Sequence, residues 1–435
     1  MAWRAGNSTR AQLPLQMIAR KRETLHGMPR LLHMADVHLG ARHDDLGPAA
    51  AAQRERQFTA FHKAIELAIS EKVDLVLIAG DLFDSNAQPR RSVERAASEL
   101  ARLSERQIPV VIIPGTHDCY EPSSIYRVFD IPALARSKHG SQTVTVLTDT
   151  RPRIDFPHLE LTVHGLVSAT KRAAQSPLAN FSAIRAGAVE AGGGSPSDDR
   201  ASATTPLAWQ VGMIHGSLAV PGKFDQDDVM FNEAEVAASG LHYLALGHWH
   251  SFREGRAGNT VWAYSGAPEP VAVDQDGAGQ VLIVELADRN GRATVTVQPQ
   301  PVGRTKFEKL ELDAAAITSQ GELEQMLRER ADPDRVLDVR LVGVKPDQID
   351  LNVDELERQL NGSFLRLRVR DSSVAALPEA QLAPADTIIG AFTRDFGARI
   401  ADHEARGDTE RAAELREALR LGTLLLDDPH RVTLA

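Results

Sequence analysis

Carboxylates and imidazoles fall in five short clusters along this chain: Asp36-Val-His38, Gly80-Asp81, Gly115-Thr-His-Asp118, His215-Gly216 and Gly247-His-Trp-His250. Asp36, His38, Asp81, His215, His248 and His250 are of the residue types that hold divalent transition metals. Each cluster stands directly behind a short apolar run. Glycines beside several of them let the backbone turn sharply and let a metal ion or phosphate approach closely. Each piece alone is weak, because Asp-x-His and Gly-Asp are more often turns than ligands. Gly-His-x-His is stronger, since two imidazoles flank Trp249. The succession of all five, each after an apolar run, is what points to one metal site.

The elements that must position these residues read as an alternation of strands and amphipathic helices. Residues 31–34, 75–78 and 110–113 are strand-like, with helical stretches at 50–70 and at 89–106, the latter begun by a proline. Further strands are expected at residues 161–164, 211–214, 243–246 and 261–264. A hairpin follows, residues 281–286 and 293–297 flanking the turn signal Asp288-Arg-Asn-Gly291. The pattern is that of a layered α/β fold, and open α/β sheets place ligand sites at the strand ends where the clusters fall. The first domain, residues 28–300, closes at Pro299-Gln-Pro301. Residues 170–207, with Gly192-Gly-Gly-Ser-Pro-Ser197, read as a solvated insertion loop without chemistry. Residues 304–370 read as strand, helix, strand, helix, strand, a small second α/β domain. Beyond it, in residues 371–435, Ile388, Phe392, Phe396 and Ile400, then Ala412, Leu415, Ala418 and Leu419, mark helical faces.

Composition bounds the possibilities. The chain has 435 residues, 43% of them hydrophobic and 25% charged, which fits two or three ordinary folded domains and excludes wholesale disorder. The single cysteine, Cys119, excludes an intramolecular disulfide framework and any multi-cysteine metal site, and fits a reducing compartment such as the cytoplasm. A net charge of -10 has the wrong sign for coating nucleic acid by charge alone. No apolar run approaches the roughly 18 residues needed to span a bilayer, so no membrane association is expected. Residues 1–27 carry Arg4, Arg10, Arg20, Lys21 and Arg22 but no apolar core or cleavage site of a secretory signal, and read as a flexible extension ahead of Met28.

Taken in order, Asp36-x-His38, Gly80-Asp-Leu-Phe-Asp84, Gly-x-His-Asp118, His215-Gly and Gly-His-x-His250 resemble the calcineurin-like metallophosphoesterases, and within them the SbcD-type DNA repair exonucleases, including YhaO-type members. The resemblance implies a layered β-sandwich core flanked by helices, with residues 304–370 as a small α/β capping domain and C-terminal helices behind it. It implies two divalent metal ions, manganese being the expected metal. Asp36, His38 and His250 would hold the first ion, His215 and His248 the second, and Asp81 would bridge them. His117 would contact the phosphate or protonate the leaving group. It further implies DNA as substrate, a partner ATPase of the SMC-like coiled-coil type, and a homodimer. One position departs from the pattern: Thr116 stands where the family has an asparagine ligand to the second ion. A hydroxyl on a shorter, branched side chain is expected to bind more weakly there. Asp84, where some members carry histidine, reads as a solvated acid capping the next helix.

The reading is therefore a metal-dependent phosphodiesterase, a DNA repair nuclease subunit. Two alternatives stand beside it: a phosphodiesterase for a small nucleotide or other phosphoester, and a degenerate, non-catalytic subunit of an ATPase complex, which Thr116 recommends. Other residues have plainer readings. Cys119 lacks a histidine partner signature. His33, His43, His62 and His164 read as surface or locally hydrogen-bonded histidines. Arg90, Arg91, Arg95, Arg102 and Arg106 alternate with Glu94, Glu99 and Glu105, as on a solvated helix. Residues 304–370 hold 12 Lys and Arg against 14 Asp and Glu, no sign of a DNA-binding platform. Neither a Walker-type phosphate loop nor a Gly-x-Ser-x-Gly elbow occurs.

Overall fold

The computed structural model describes residues 28–167, 170–173, 175–179, 181, 208–219, 229–272, 275, 277–346, 349, 351–375, 384 and 386–427. The extension at 1–27 and most of the expected insertion loop at 170–207 lie outside the described residues.

Two six-stranded sheets face each other. In the first, β1 (Arg30–Met34), β2 (Leu75–Ala79), β3 (Val110–Ile113) and β4 (Val144–Val146) run parallel, and the hairpin β13 (Gln280–Arg289) and β14 (Arg292–Pro301) joins antiparallel beside β1. In the second, β6 (Leu161–Gly165), β7 (Trp209–His215), β10 (Tyr243–Gly247) and β12 (Thr260–Tyr264) run parallel, with β5 (Arg153–Phe156) and β11 (Arg253–Ala257) antiparallel at the two edges. Two short strands, β8 (Ser217–Leu218) and β9 (Met230–Phe231), pair separately.

Alternation along the strands explains why β2 and β3 read as unbroken apolar runs and why β1 is interrupted only by His33 after Arg30: both faces are covered. Leu31, Leu75, Leu77, Val111 and Ile113 point between the sheets, onto Val163, Val211, Met213, Tyr243 and Ala245. Leu32, Val76, Ile78, Val110 and Ile112 point outward, onto α1 (Ala50–Ser70) and α2 (Arg90–Glu105) through Phe61, Ile65, Leu100 and Leu103. Burying each such side chain stabilises the fold by about 1.5 to 3 kcal/mol. The hairpin turns where it was expected, with Asn290 and Gly291 both at positive φ, as a tight two-residue turn requires.

A separate three-stranded parallel sheet follows, β15 (Lys306–Asp313), β16 (Asp332–Val342) and β18 (Phe364–Asp371). Two helices, Gln320–Arg328 and Val353–Gln359, connect these strands, and their Leu323, Leu327 and Leu356 share one core with Leu337, Val339 and Leu341. Arg56 of α1 ties the sheet to the sandwich through Asp334, 2.7 Å away. Helices Ile388–Ala405 and Thr409–Asp427 then form a hairpin, and on the first of them the Phe392 ring lies tilted against that of Phe396, centroids 4.5 Å apart. Among the described residues, no helix is long and apolar enough to cross a membrane.

Of the four histidines read as surface or locally hydrogen-bonded, His33, His43 and His164 are buried and hydrogen-bonded, their partners lying 14 or more residues away in sequence. His33 Nδ1 lies 2.8 Å from the Tyr243 hydroxyl of the opposite sheet, and burial pushes its pKa down to about 3, so it is neutral. His43 pairs with Gln57 and His164 with Gln210. A polar side chain buried between covered faces needs a partner within the protein, and for His33 that partner comes from across the core.

Candidate metal centre

The site is assembled from turns that leave the carboxyl ends of β1, β2, β3, β7 and β10. The first two turns run side by side and hold each other by backbone bonds, Asp36 N–H donating to Gly80 O at 3.1 Å, His38 N–H to Asp81 O at 3.0 Å and Leu39 N–H to Leu82 O at 3.0 Å. This pairing comes at a conformational cost. Asp36, His38, Asp81 and His248 all sit at positive φ, a region that non-glycine residues seldom enter except where function holds them. Gly80 lies at φ 91°, and a Cβ there would stand 2.2 Å from His215 Nδ1. A Cβ on Gly115 would strike the Asp81 carboxylate at the same separation, 2.2 Å. The two glycines are what let the histidine and the carboxylate come this close.

Asp81 is the hub. Its Oδ1 accepts from the His117 backbone N–H at 2.8 Å, and its Oδ2 lies 3.0 Å from His215 Nε2 and 3.8 Å from His38 Nε2. His215 is aimed by its other ring nitrogen, which donates to the Ala79 carbonyl at 2.9 Å and leaves Nε2 facing the carboxylates. His38 Nε2 stands 3.1 Å from His250 Nε2, and the latter is 4.0 Å from Asp36 Oδ1. Asp36, His38 and His250 therefore form one close group, Asp36, Asp81 and His215 a second, and His38, Asp81 and His117 a third, all ligand atoms within 4.8 Å inside each group.

Two expected ligands stand outside these groups. The His248 ring packs edge-on against that of His215, centroids 5.4 Å apart, while its backbone N–H donates to both oxygens of Asp36 at 3.0 and 3.1 Å. Thr116 is buried, with its hydroxyl 3.5 Å from Asp81 Oδ2. His117 is exposed, and its Nδ1 contacts the backbone carbonyl of Asp84 at 2.9 Å, which leaves Nε2 available.

Asp84 overturns the helix-capping reading. The residue at the start of α2 is Pro89, and no side chain caps it. The Asp84 carboxylate instead lies 3.3 Å from His38 Nδ1, on the far side of the ring from the site. Burial pushes the Asp84 pKa up, but His38 and His117 outweigh it, and the carboxylate is held below its ordinary range. Sequence reasoning also passed over Asp118, which clamps two of the turns. It accepts from Gly115 N–H at 2.7 Å, from Phe83 N–H at 3.1 Å and from the Tyr126 hydroxyl at 2.6 Å. The Gly80-to-Asp84 and Gly115-to-Asp118 motifs contain both acids, so the signal was present in their spacing.

The electrostatics are those of an anionic cluster shielded by imidazolium. Burial pushes the His215 pKa down, yet the charges of Asp81 and Asp36 carry it up to about 10. His38 is also raised, burial being outweighed by Asp84, Asp81 and Asp36. Asp81 is lowered despite burial, because His215, His38 and His117 surround it. For His250 burial wins, and its pKa falls to about 4. Buried carboxylates converging with imidazole nitrogens, His215 Nε2 among them with no directed hydrogen bond, fit a cation better than a structural ion pair.

Residues 29–252 match the family model of the calcineurin-like phosphoesterases. A protein named DNA double-strand break repair protein Mre11, from Aeropyrum pernix, is 29% identical over 268 residues, 60% of this chain and 58% of that protein. Its namesake from Sulfolobus acidocaldarius is 41% identical over 90 residues, 20% of this chain and 22% of its own. The one from Halobacterium salinarum is 24% identical over 412 residues, 92% of this chain and 95% of its own. The match thus spans little more than half the length of the Aeropyrum relative, 58%.

Proposed function

The chain belongs to the calcineurin-like phosphoesterase family, and from that premise we propose that it hydrolyses the phosphodiester bonds of DNA using two divalent metal ions, manganese foremost. The observation that carries this reading is the position of Asp81, which is common to the group containing His38 and to the group containing His215. A carboxylate shared in this way suits a bridge between two ions. Asp36, His38 and His250 would hold the first and His215 and His248 the second, with Thr116 a weak oxygen donor where the family has asparagine. A pair of ions, when bound, would neutralise the phosphate and lower the pKa of water beside it.

The chain's own residues do the rest. Asp84 and the Ala79 carbonyl orient His38 and His215. The Asp84 carbonyl fixes His117 so that its exposed Nε2 can give a proton to the leaving oxygen, the part an imidazole plays as a general acid. The relatives' names support DNA repair as the setting. The reading also takes residues 304–370 as a cap, a coiled-coil ATPase as partner, a homodimer as the assembly and the cytoplasm as the place, on the sequence resemblance and composition alone.

The test is manganese-dependent hydrolysis of bis-p-nitrophenyl phosphate and then of linear DNA, with metal content measured on the same samples and Asp81→Asn and His117→Ala as controls. Activity on both substrates, lost in both variants, is the expected result. Hydrolysis of the chromogenic diester alone, even with the ATPase added, would move the substrate to a small phosphoester. Neither metal nor hydrolysis would leave a binding subunit.

A further inference from the structure

The segment after β12 folds back over His250, and Gln275 is the residue that meets its ring. Gln275 Oε1 accepts from two backbone N–H groups, Val271 at 2.8 Å and Ala272 at 3.2 Å. The oxygen is thereby committed, so the atom left facing His250 Nδ1, at 2.5 Å, is the amide nitrogen, which can only donate. A neutral imidazole carries one N–H. If Nδ1 accepts from Gln275, the proton of His250 resides on Nε2. That Nε2 faces His38 Nε2 at 3.1 Å, and His38 in turn presents Nδ1 to Asp84 Oδ1 at 3.3 Å. Gln275 then donates to His250 and the His250 Nε2–H faces His38, whose Nδ1 stands beside Asp84 without a directed hydrogen bond.

In this arrangement the His250 nitrogen that looks toward Asp36 holds a hydrogen and has no lone pair for a cation. We infer that Gln275 is a positioning residue that selects the tautomer of His250, and that His250 captures a metal ion only when the Gln275 amide turns over. Turning it presents Oε1 to a proton now on Nδ1 and frees Nε2. It also strips the Val271 and Ala272 N–H groups of their shared acceptor, so ion binding costs these two hydrogen bonds. No net proton is gained or lost, since the ring stays neutral and its hydrogen moves from one nitrogen to the other through solvent. The inference rests on the metal-binding reading above and adds a cost to the first ion that the ligand set alone does not reveal.

Gln275→Glu removes that cost, because a carboxylate accepts from the turn and from His250 Nδ1–H together. The experiment is nitrogen-15 NMR of the histidine rings in the metal-free full chain, with His250 assigned by His250→Ala, alongside calorimetric titration with manganese. The parent is expected to show His250 protonated at Nε2. Gln275→Glu is expected to show it protonated at Nδ1 and to bind the first manganese about tenfold more tightly, the scale of outer-ligand effects. Since an added negative charge alone could tighten binding, the tautomer is the deciding signal. A metal-free parent already protonated at Nδ1 would overturn the inference. So would manganese binding in the parent that Gln275→Glu leaves unchanged, and the metal reading would then survive. A parent that binds no manganese at all would remove both.

Discussion

The two sheets contribute unequally to the site. Every carboxylate, Asp36, Asp81, Asp84 and Asp118, comes from turns of the first sheet, whereas the second supplies imidazoles, His215, His248 and His250. The means of holding them differ too. Each first-sheet acid at the centre is gripped by backbone N–H groups, Asp81 by His117, Asp36 by His248, and Asp118 by Gly115 and Phe83. The second-sheet rings are set by their outer nitrogens, His215 on the Ala79 carbonyl and His250 on Gln275, while their inner nitrogens face Asp81 and His38. The first sheet thus provides fixed negative charge that organises several turns at once, and the second provides the imidazoles that meet it, His215 charged and His250 neutral.

Substitutions can break or sharpen this contrast. The largest effect is expected from Asp81→Asn: hydrolysis should fall to background and both ions should be lost, while His215→Ala should retain one, as metal analysis would reveal. Equal retention in the two variants would end the distinction. Next comes His117→Ala, for which kcat should drop by about 10²- to 10⁴-fold while metal content holds, the range of a lost general acid. Asp84→Ala acts through His38, and manganese affinity or activity should fall by about 10- to 100-fold, with Asp84→Glu restoring part of it. An Asp84→Ala protein with parental affinity would return this residue to the solvated role first read from its position. The smallest effect belongs to Thr116→Asn, expected to tighten the second ion only a few-fold because Asp81, His215 and His248 remain; calorimetry showing no tightening would clear Thr116 as the weak point.

How far the sequence could be read depended on burial. The strands that deliver the ligands are fully buried on both faces, so residues 31–34, 75–78 and 110–113 announced themselves, and the clusters behind them fell at their ends. The hairpin was legible because Asn290-Gly291 can turn where few other pairs can. The edge strands Arg153–Phe156 and Arg253–Ala257 escaped because an exposed edge accepts charge, and Arg-Glu-Gly-Arg-Ala has no apolar alternation. Asp84 was visible in its motif but misjudged, since its partner His38 lies far off in sequence. Gln275 gave no signal at all, because its role exists only where one turn folds back onto a ring from another strand. His33 was misplaced for a related reason: nothing local foretells a tyrosine arriving from the opposite sheet.

Asp36, His38, Asp81 and His248 hold backbone angles that glycine would adopt freely and that cost other residues on the order of 1 to 3 kcal/mol each. The fold and the chemistry therefore pull the same four positions in opposite directions. Glycine at any of them would relieve the backbone and remove a buried polar group in one step, so a change that favours the fold takes away part of the site before it disturbs the sandwich.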